Sequence, residues 1–164
     1  MALKRMTTGN IFKIVNGIEI RYFQYFYSDV NYLGGDLIWV FNIDKETQNL
    51  DEIINSGYSF CFYTALNTGI KMKKWTLMGN KTIPVEMQYY PKFRWRDLET
   101  HDWYILQYDK KIKIGKNLTE EENKIPVVTF SFPDGAIDYI IGGKEKFIIN
   151  TNNFHEGYFE KNKK

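Results

Sequence analysis

The sequence predicts a mainly β protein, an antiparallel and partly barrel-like sheet with one to three short helices, with α+β as the alternative. Three observations predict it. Aromatic residues fill 17% of the 164 positions, as 12 Phe, 12 Tyr and 4 Trp, and such rings fit the pleated, half-buried surface of a sheet. Apolar runs of strand length are punctuated by Asn-Gly and Gly-Gly pairs, which form turns. The balance of 43% hydrophobic to 26% charged residues is that of a globular domain, long enough to bury a core without staples.

Residues 11–15 and 18–27 flank Asn16-Gly17. Two β-type runs around that dipeptide predict a hairpin with a type I′ turn. The second run starts in strict alternation and becomes almost wholly aromatic. It predicts either a central strand covered on both faces or a strand with one face used for binding. Residues 36–43, after Gly34-Gly35, form a continuous apolar run. Within 46–55, Leu50, Ile53 and Ile54 recur at helical spacing and Gly57 closes the segment, so one short helix is expected. Residues 58–63 and 70–78 predict strands, the latter ending at Gly79-Asn80; 92–96, 103–108 and 111–114 are shorter β-type pieces. Thr119 with Glu122 three positions on has the form of a capping box opening about one helical turn.

Residues 127–132 predict another strand, and 147–149 a last one. Residues 134–141 fit either a short helix stopped by Gly142-Gly143 or a hairpin. From residue 150 the chain turns polar, the signature of a fraying tail. With no repeat, low-complexity linker or shift in composition, the expectation is one β-rich domain over 9–149. A short extension, 1–8, precedes it and a polar tail, 150–164, follows.

Charge narrows the function. The 22 Lys and Arg against 20 Asp and Glu give a net charge of +2, too balanced for the basic footprint of a nucleic-acid-binding protein. The basic runs 71–74, 110–113 and 161–164 read as solvated strand faces or a terminus. A single cysteine, Cys61, excludes an internal disulfide and fits a reducing compartment. Residues 1–6 lack the apolar stretch of a signal peptide, and no window reaches the ~20 apolar residues of a membrane span. A cytoplasmic protein with no membrane partner is expected.

No residue set carries a catalytic signature. His155 falls in the polar tail and His101 in the charged stretch 97–102, neither beside a recognisable nucleophile. Asp97, Glu99, His101 and Asp102 have neither EF-hand nor zincin spacing. Gly142-Gly143-Lys144 is followed by Glu145, where a phosphate-binding loop needs Ser or Thr. Glu120-Glu121-Glu122 suits a helix N-terminus, where negative charge is favourable. The expectation is a protein that is not an enzyme, with no metal and no cofactor, whose partner is another protein. Tyr89, Tyr90, Arg94, Trp95, Arg96 and Trp103 cluster around Pro91 and are the candidate partner-binding residues, being of the types enriched at interface hot spots. The alternative for Trp95 and Trp103 is that they close the core.

A set of spaced motifs adds a resemblance. Gly9-Asn10-Ile11-Phe12 opens the hairpin, Tyr22-Phe23-Gln24 lies on its return run, and Trp75-Thr76-Leu77-Met78-Gly79-Asn80 follows, with Ile83-Pro84 and Pro91-Lys92-Phe93 downstream. Together these resemble the immunity protein 26 family of bacterial polymorphic toxin systems, from Gly9 to the region of Phe147. Asn10 departs from the aspartate usual in the opening motif. The resemblance implies a small cytoplasmic antidote that binds and neutralises a cognate toxin, with no catalytic residue and no cofactor. As plain residues, Phe12 and Trp75 read as core, and Gly79-Asn80 as a turn. Two other functions fit less of the sequence. One is a nucleic-acid-binding β-barrel using Tyr22, Tyr25, Tyr27, Lys71, Lys73 and Lys74. The other is an enzyme built on a dispersed carboxylate or His101.

Overall fold

The computed structural model describes residues 6–30, 34–88 and 90–161, with side chains to residue 152. In chain order the elements begin β1 (Asn10–Asn16), β2 (Glu19–Ser28), β3 (Asp36–Phe41), α1 (Leu50–Asn55), β4 (Tyr58–Thr64), α2 (Leu66–Lys71) and β5 (Thr76–Asn80). They continue with a 3₁₀ turn (Val85–Met87), β6 (Phe93–Arg96), β7 (Trp103–Gln107), β8 (Lys110–Gly115), α3 (Glu120–Asn123), β9 (Phe130–Ser131) and α4 (Pro133–Lys161). The protein is mainly β, as composition predicts. Its strands form two sheets of orders β5-β1-β2-β3-β4-β9 and β6-β7-β8. Neither closes into a barrel. The chain groups into two compact units, residues 1–85 with 130–144, and residues 86–129 with 145–164.

In the first unit β2 is the central strand. Phe23, Gln24, Tyr25 and Phe26 are all buried because both faces of the sheet are covered. On one face Ile11, Tyr22, Phe41 and Ile43 pack with Ile53 of α1. On the other, Phe23 stacks on Phe12 with centroids 5.2 Å apart and meets the edge of Trp75 at 5.4 Å. Tyr139 of α4 meets Phe62 on that same face, edge-on at 5.7 Å. The buried amide of Gln24 is fully used: Nε2 donates to the carbonyls of Gly9 (3.0 Å) and Lys81 (2.8 Å), and Oε1 accepts from the Tyr58 hydroxyl. A buried polar group satisfied at each end costs little and fixes the register.

The first hairpin forms, with its turn displaced by one residue. Asn16 pairs with Glu19, so the loop is Gly17-Ile18. Gly17 has φ 64° and Ile18 stays outside the left-handed region. Glycine at the first loop position gives the II′ pattern in place of I′.

Residues 70–78 are not one strand. Ile70 and Lys71 finish α2, and β5 begins only at Thr76. Ala65 precedes α2 with no side-chain cap; the first amide, Leu66 N, donates instead to Asp36 Oδ2 at 2.9 Å. Trp75 seals the helix by donating from Nε1 to Leu66 O, and its ring fills the space beside Gly69. Both supports come from outside the helix, so local spacing misses it.

Of residues 127–132 only Phe130–Ser131 form a strand, pairing in parallel with β4. Residues 134–141 and 147–149 are both helical, parts of α4, which is broken at Gly143 by φ 84° and ψ 174°. The glycine pair therefore interrupts a helix that resumes. The expected strand at 147–149 is overridden by burial of one side, with Phe147 inside and Ile148 and Ile149 exposed. Residues 150–161, polar by composition, continue the helix.

The second unit is built on β6-β7-β8, with Arg96 opposite Trp103 and Gln107 opposite Lys110. Arg94 N donates to Pro126 O and Val128 N to Arg94 O, which ties residues 126–128 to β6. The capping box on α3 is present in both halves, Glu122 N donating to Thr119 Oγ1 (3.2 Å) and Thr119 N to Glu122 Oε2 (2.7 Å).

Candidate functional site

Strand pairing gathers four of the candidate partner-binding residues into one sheet. Side chains alternate between faces along a strand, so Arg94 and Arg96 share a face with Trp103 and Ile105, while Trp95 shares the other with Tyr104 and Lys113. Both guanidinium groups lie over the Trp103 ring, 5.2 Å (Arg94) and 5.5 Å (Arg96) from its centroid. Arg94 Nη1 donates to Asn123 Oδ1, and Arg96 Nε to His101 O. Trp103 is buried and Trp95 half-buried. Tyr90 stacks on Tyr108 with centroids 4.0 Å apart, its backbone held by Gln107. Burial against that ring raises the Tyr90 hydroxyl pKa. Tyr89 lies outside the described residues.

Sequence reasoning missed the lysines of β8. Lys111 Nζ sits 4.5 Å over Trp95 and 4.4 Å over Tyr104, so one cation caps both rings. Lys113 and Lys116 both bind Asp102, at 2.7 and 3.4 Å. Their ammonium groups, Lys113 foremost, hold the Asp102 carboxyl below the usual range. The signal available was a basic alternating run, 110–113, one turn after an aromatic strand. Read alone it is solvated surface; paired with β7 it becomes a cationic and aromatic face.

The charged loop 97–102 is a structural hairpin connection. Asp97 Oδ1 accepts from Glu99 N, Thr100 N and Thr100 Oγ1, and these bonds, Thr100 N first, lower the Asp97 pKa. His101, at φ 60°, donates its backbone N–H to Asp97 O. Among the described residues no three His, Cys, Asp or Glu side chains gather as a metal site. Cys61 is buried within β4, and burial pushes its thiol pKa up. Glu120, Glu121 and Glu122 occupy the first turn of α3, with Glu121 bound to Lys124. The His155 side chain lies outside the described ones.

Tyr22 and Tyr25 are buried, and the Tyr22 hydroxyl donates to Thr47 O, so neither can stack on a base. Lys74, from the basic run beside them in that reading, pairs with Asp134. An open depression of about 640 Å³ beside α1 is lined by Asp44, Lys45, Asp51 and Glu52 among others. Glu52 is already bound to Lys45 and Asp51 to Lys81, so two of the depression's three carboxylates are engaged in ion pairs.

Compared with family models, curated proteins and solved structures, the chain matches none. None of the helices among the described residues is long and apolar enough to cross a membrane.

Proposed function

We propose that the chain is an immunity protein of a bacterial polymorphic toxin system, a cytoplasmic antidote that binds a cognate toxin domain and blocks it by occupying its surface. The observation that carries this reading is the β6-β7-β8 sheet, where Trp95, Tyr104, Arg94, Arg96 and the β8 lysines stand on paired strands. Aromatic and arginine side chains are the types that dominate binding energy at interfaces. Holding them on strands reduces the ordering cost of association. The spaced motifs from Gly9 to Phe93 supply the class of partner through their resemblance to immunity protein 26. Phe12 and Trp75 within those motifs are buried and act through the fold rather than by touching the toxin.

The antidote makes and breaks no bond in this reading. It presents a cationic, aromatic face, and inhibition is exclusion of the toxin's own substrate. The test is co-purification with the C-terminal domain of any large secreted protein that a neighbouring gene encodes. A stable complex is expected, weakened at least tenfold by Arg96→Ala with folding intact. Failure to form a complex would end the reading.

A further inference from the structure

We infer that β8 takes up an extended, acidic segment of the partner protein as a fourth strand of the β6-β7-β8 sheet. This rests on the proposed function only for the partner being a protein. Among the described residues β8 is the last strand of its sheet, paired on one side with β7. An edge strand leaves alternate N–H and C=O groups for an incoming chain, and extended peptides bind by supplying them.

Charge selects the occupant. Residues 108–116 carry four exposed lysines, Lys110, Lys111, Lys113 and Lys116, against one acid, Asp109; Lys113 and Lys116 share the single carboxylate of Asp102, which leaves the edge cationic. A second copy of this chain would set lysine rows across from each other at roughly 4.5–5.5 Å, and like charges directly opposite destabilise a sheet. A strand carrying Asp or Glu at those positions converts each clash into a cross-strand pair. The lysines are also pre-placed, Lys111 by the rings of Trp95 and Tyr104 and Lys113 by Asp102. Ile112, 53% exposed on the same strand, calls for one apolar residue opposite it. A nucleic acid satisfies the ammonium groups and leaves the backbone edge and Ile112 uncovered, so the acidic strand uses more of what this edge offers.

The experiment is amide hydrogen exchange on the full chain. The probe is a capped peptide of about seven residues that sets glutamate opposite Lys110, Lys111 and Lys113 and valine opposite Ile112 and Ile114, compared with the same peptide carrying lysine for glutamate and with oligo-dT. At a glutamate-peptide concentration about nine times its Kd, exchange at residues 110–115 is expected to slow about tenfold, while the lysine peptide and oligo-dT leave it unchanged. Lys110→Glu with Lys111→Glu is expected to abolish the protection. Lys110→Glu alone, which spares the ring contacts of Lys111, is expected to weaken it. Unchanged exchange with the glutamate peptide, equal protection by the lysine peptide, or protection by oligo-dT alone overturns the inference. A toxin complex that leaves 110–115 unprotected refutes strand addition and spares the immunity reading. Protection by the peptide in a chain that binds no toxin does the reverse.

Discussion

In the six-stranded sheet rings meet rings: Phe12 on Phe23, Phe23 against Trp75, Phe41 on Tyr58, Phe62 against Tyr139. In the three-stranded sheet rings meet cations as well: Trp103 lies under Arg94 and Arg96, and Trp95 and Tyr104, themselves 5.5 Å apart, lie under Lys111. The residue types are the same and their employment differs. In the first unit helices cover both faces of the strands, so each ring loses its water to other apolar groups, worth about 25 cal/mol per Å². In the second, the charged heads of Lys and Arg themselves lie over the rings, a cation–π contact worth about 0.5–1 kcal/mol at exposed sites. The first arrangement stabilises. The second keeps a surface that another molecule can displace or join.

The largest effect expected from this contrast is in the first unit. Phe23→Ala removes a fully buried ring held between Phe12 and Trp75 and is expected to cost about 3–5 kcal/mol in urea unfolding. Lys111→Ala, which uncovers Trp95 and Tyr104, is expected to cost only about 0.5–1 kcal/mol. Equal losses from the two would break the comparison. Next comes Gly69→Ala: a Cβ there would stand 1.9 Å from the rigid Trp75 ring, and overpacking of this kind costs about 1–3 kcal/mol. A neutral result in the same unfolding assay would show that Trp75 is not wedged against α2.

Thr119→Ala removes the hydroxyl that caps α3 and is expected to lower stability by about 1 kcal/mol; calorimetry would resolve it. The smallest effect is in acid. The Asp102 carboxyl is held low in the fold by Lys113 and Lys116, and Asp97 by backbone amides. Below its unfolded pKa, near 3.9, the unfolded chain takes up a proton that the folded one resists. Their contribution is thus complete above that pH and fades as pH falls through the folded values. Melting temperature should drop between about pH 4 and pH 2, less steeply in Asp102→Asn. Parallel curves would show that the Lys113 pair contributes nothing.

Much of the first hairpin, β3, α1, β4 and the capping box of α3 was legible because each is specified by near neighbours. Asn49 caps α1 by accepting from Asp51 N and Glu52 N, within three residues. Where support comes from afar the pattern misleads. Helix α2 is capped by Asp36, thirty positions earlier in the chain, and its last two residues, Ile70 and Lys71, read as the start of a strand. The candidate surface was half legible. Arg94, Trp95, Arg96 and Trp103 could be picked by residue type, whereas Lys111 and Lys113 gained their meaning only from pairing with β7.

By itself the sequence determined the strand-rich class, the place of the first hairpin to within one residue and the aromatic supply, since backbone preference and alternation act over a few residues. The tertiary structure alone decided which rings became core and which remained surface, because burial depends on what packs above a strand. Six strands with helices on both faces cover their rings with apolar side chains; in β6 and β7, Trp95, Trp103 and Tyr104 lie under arginine and lysine.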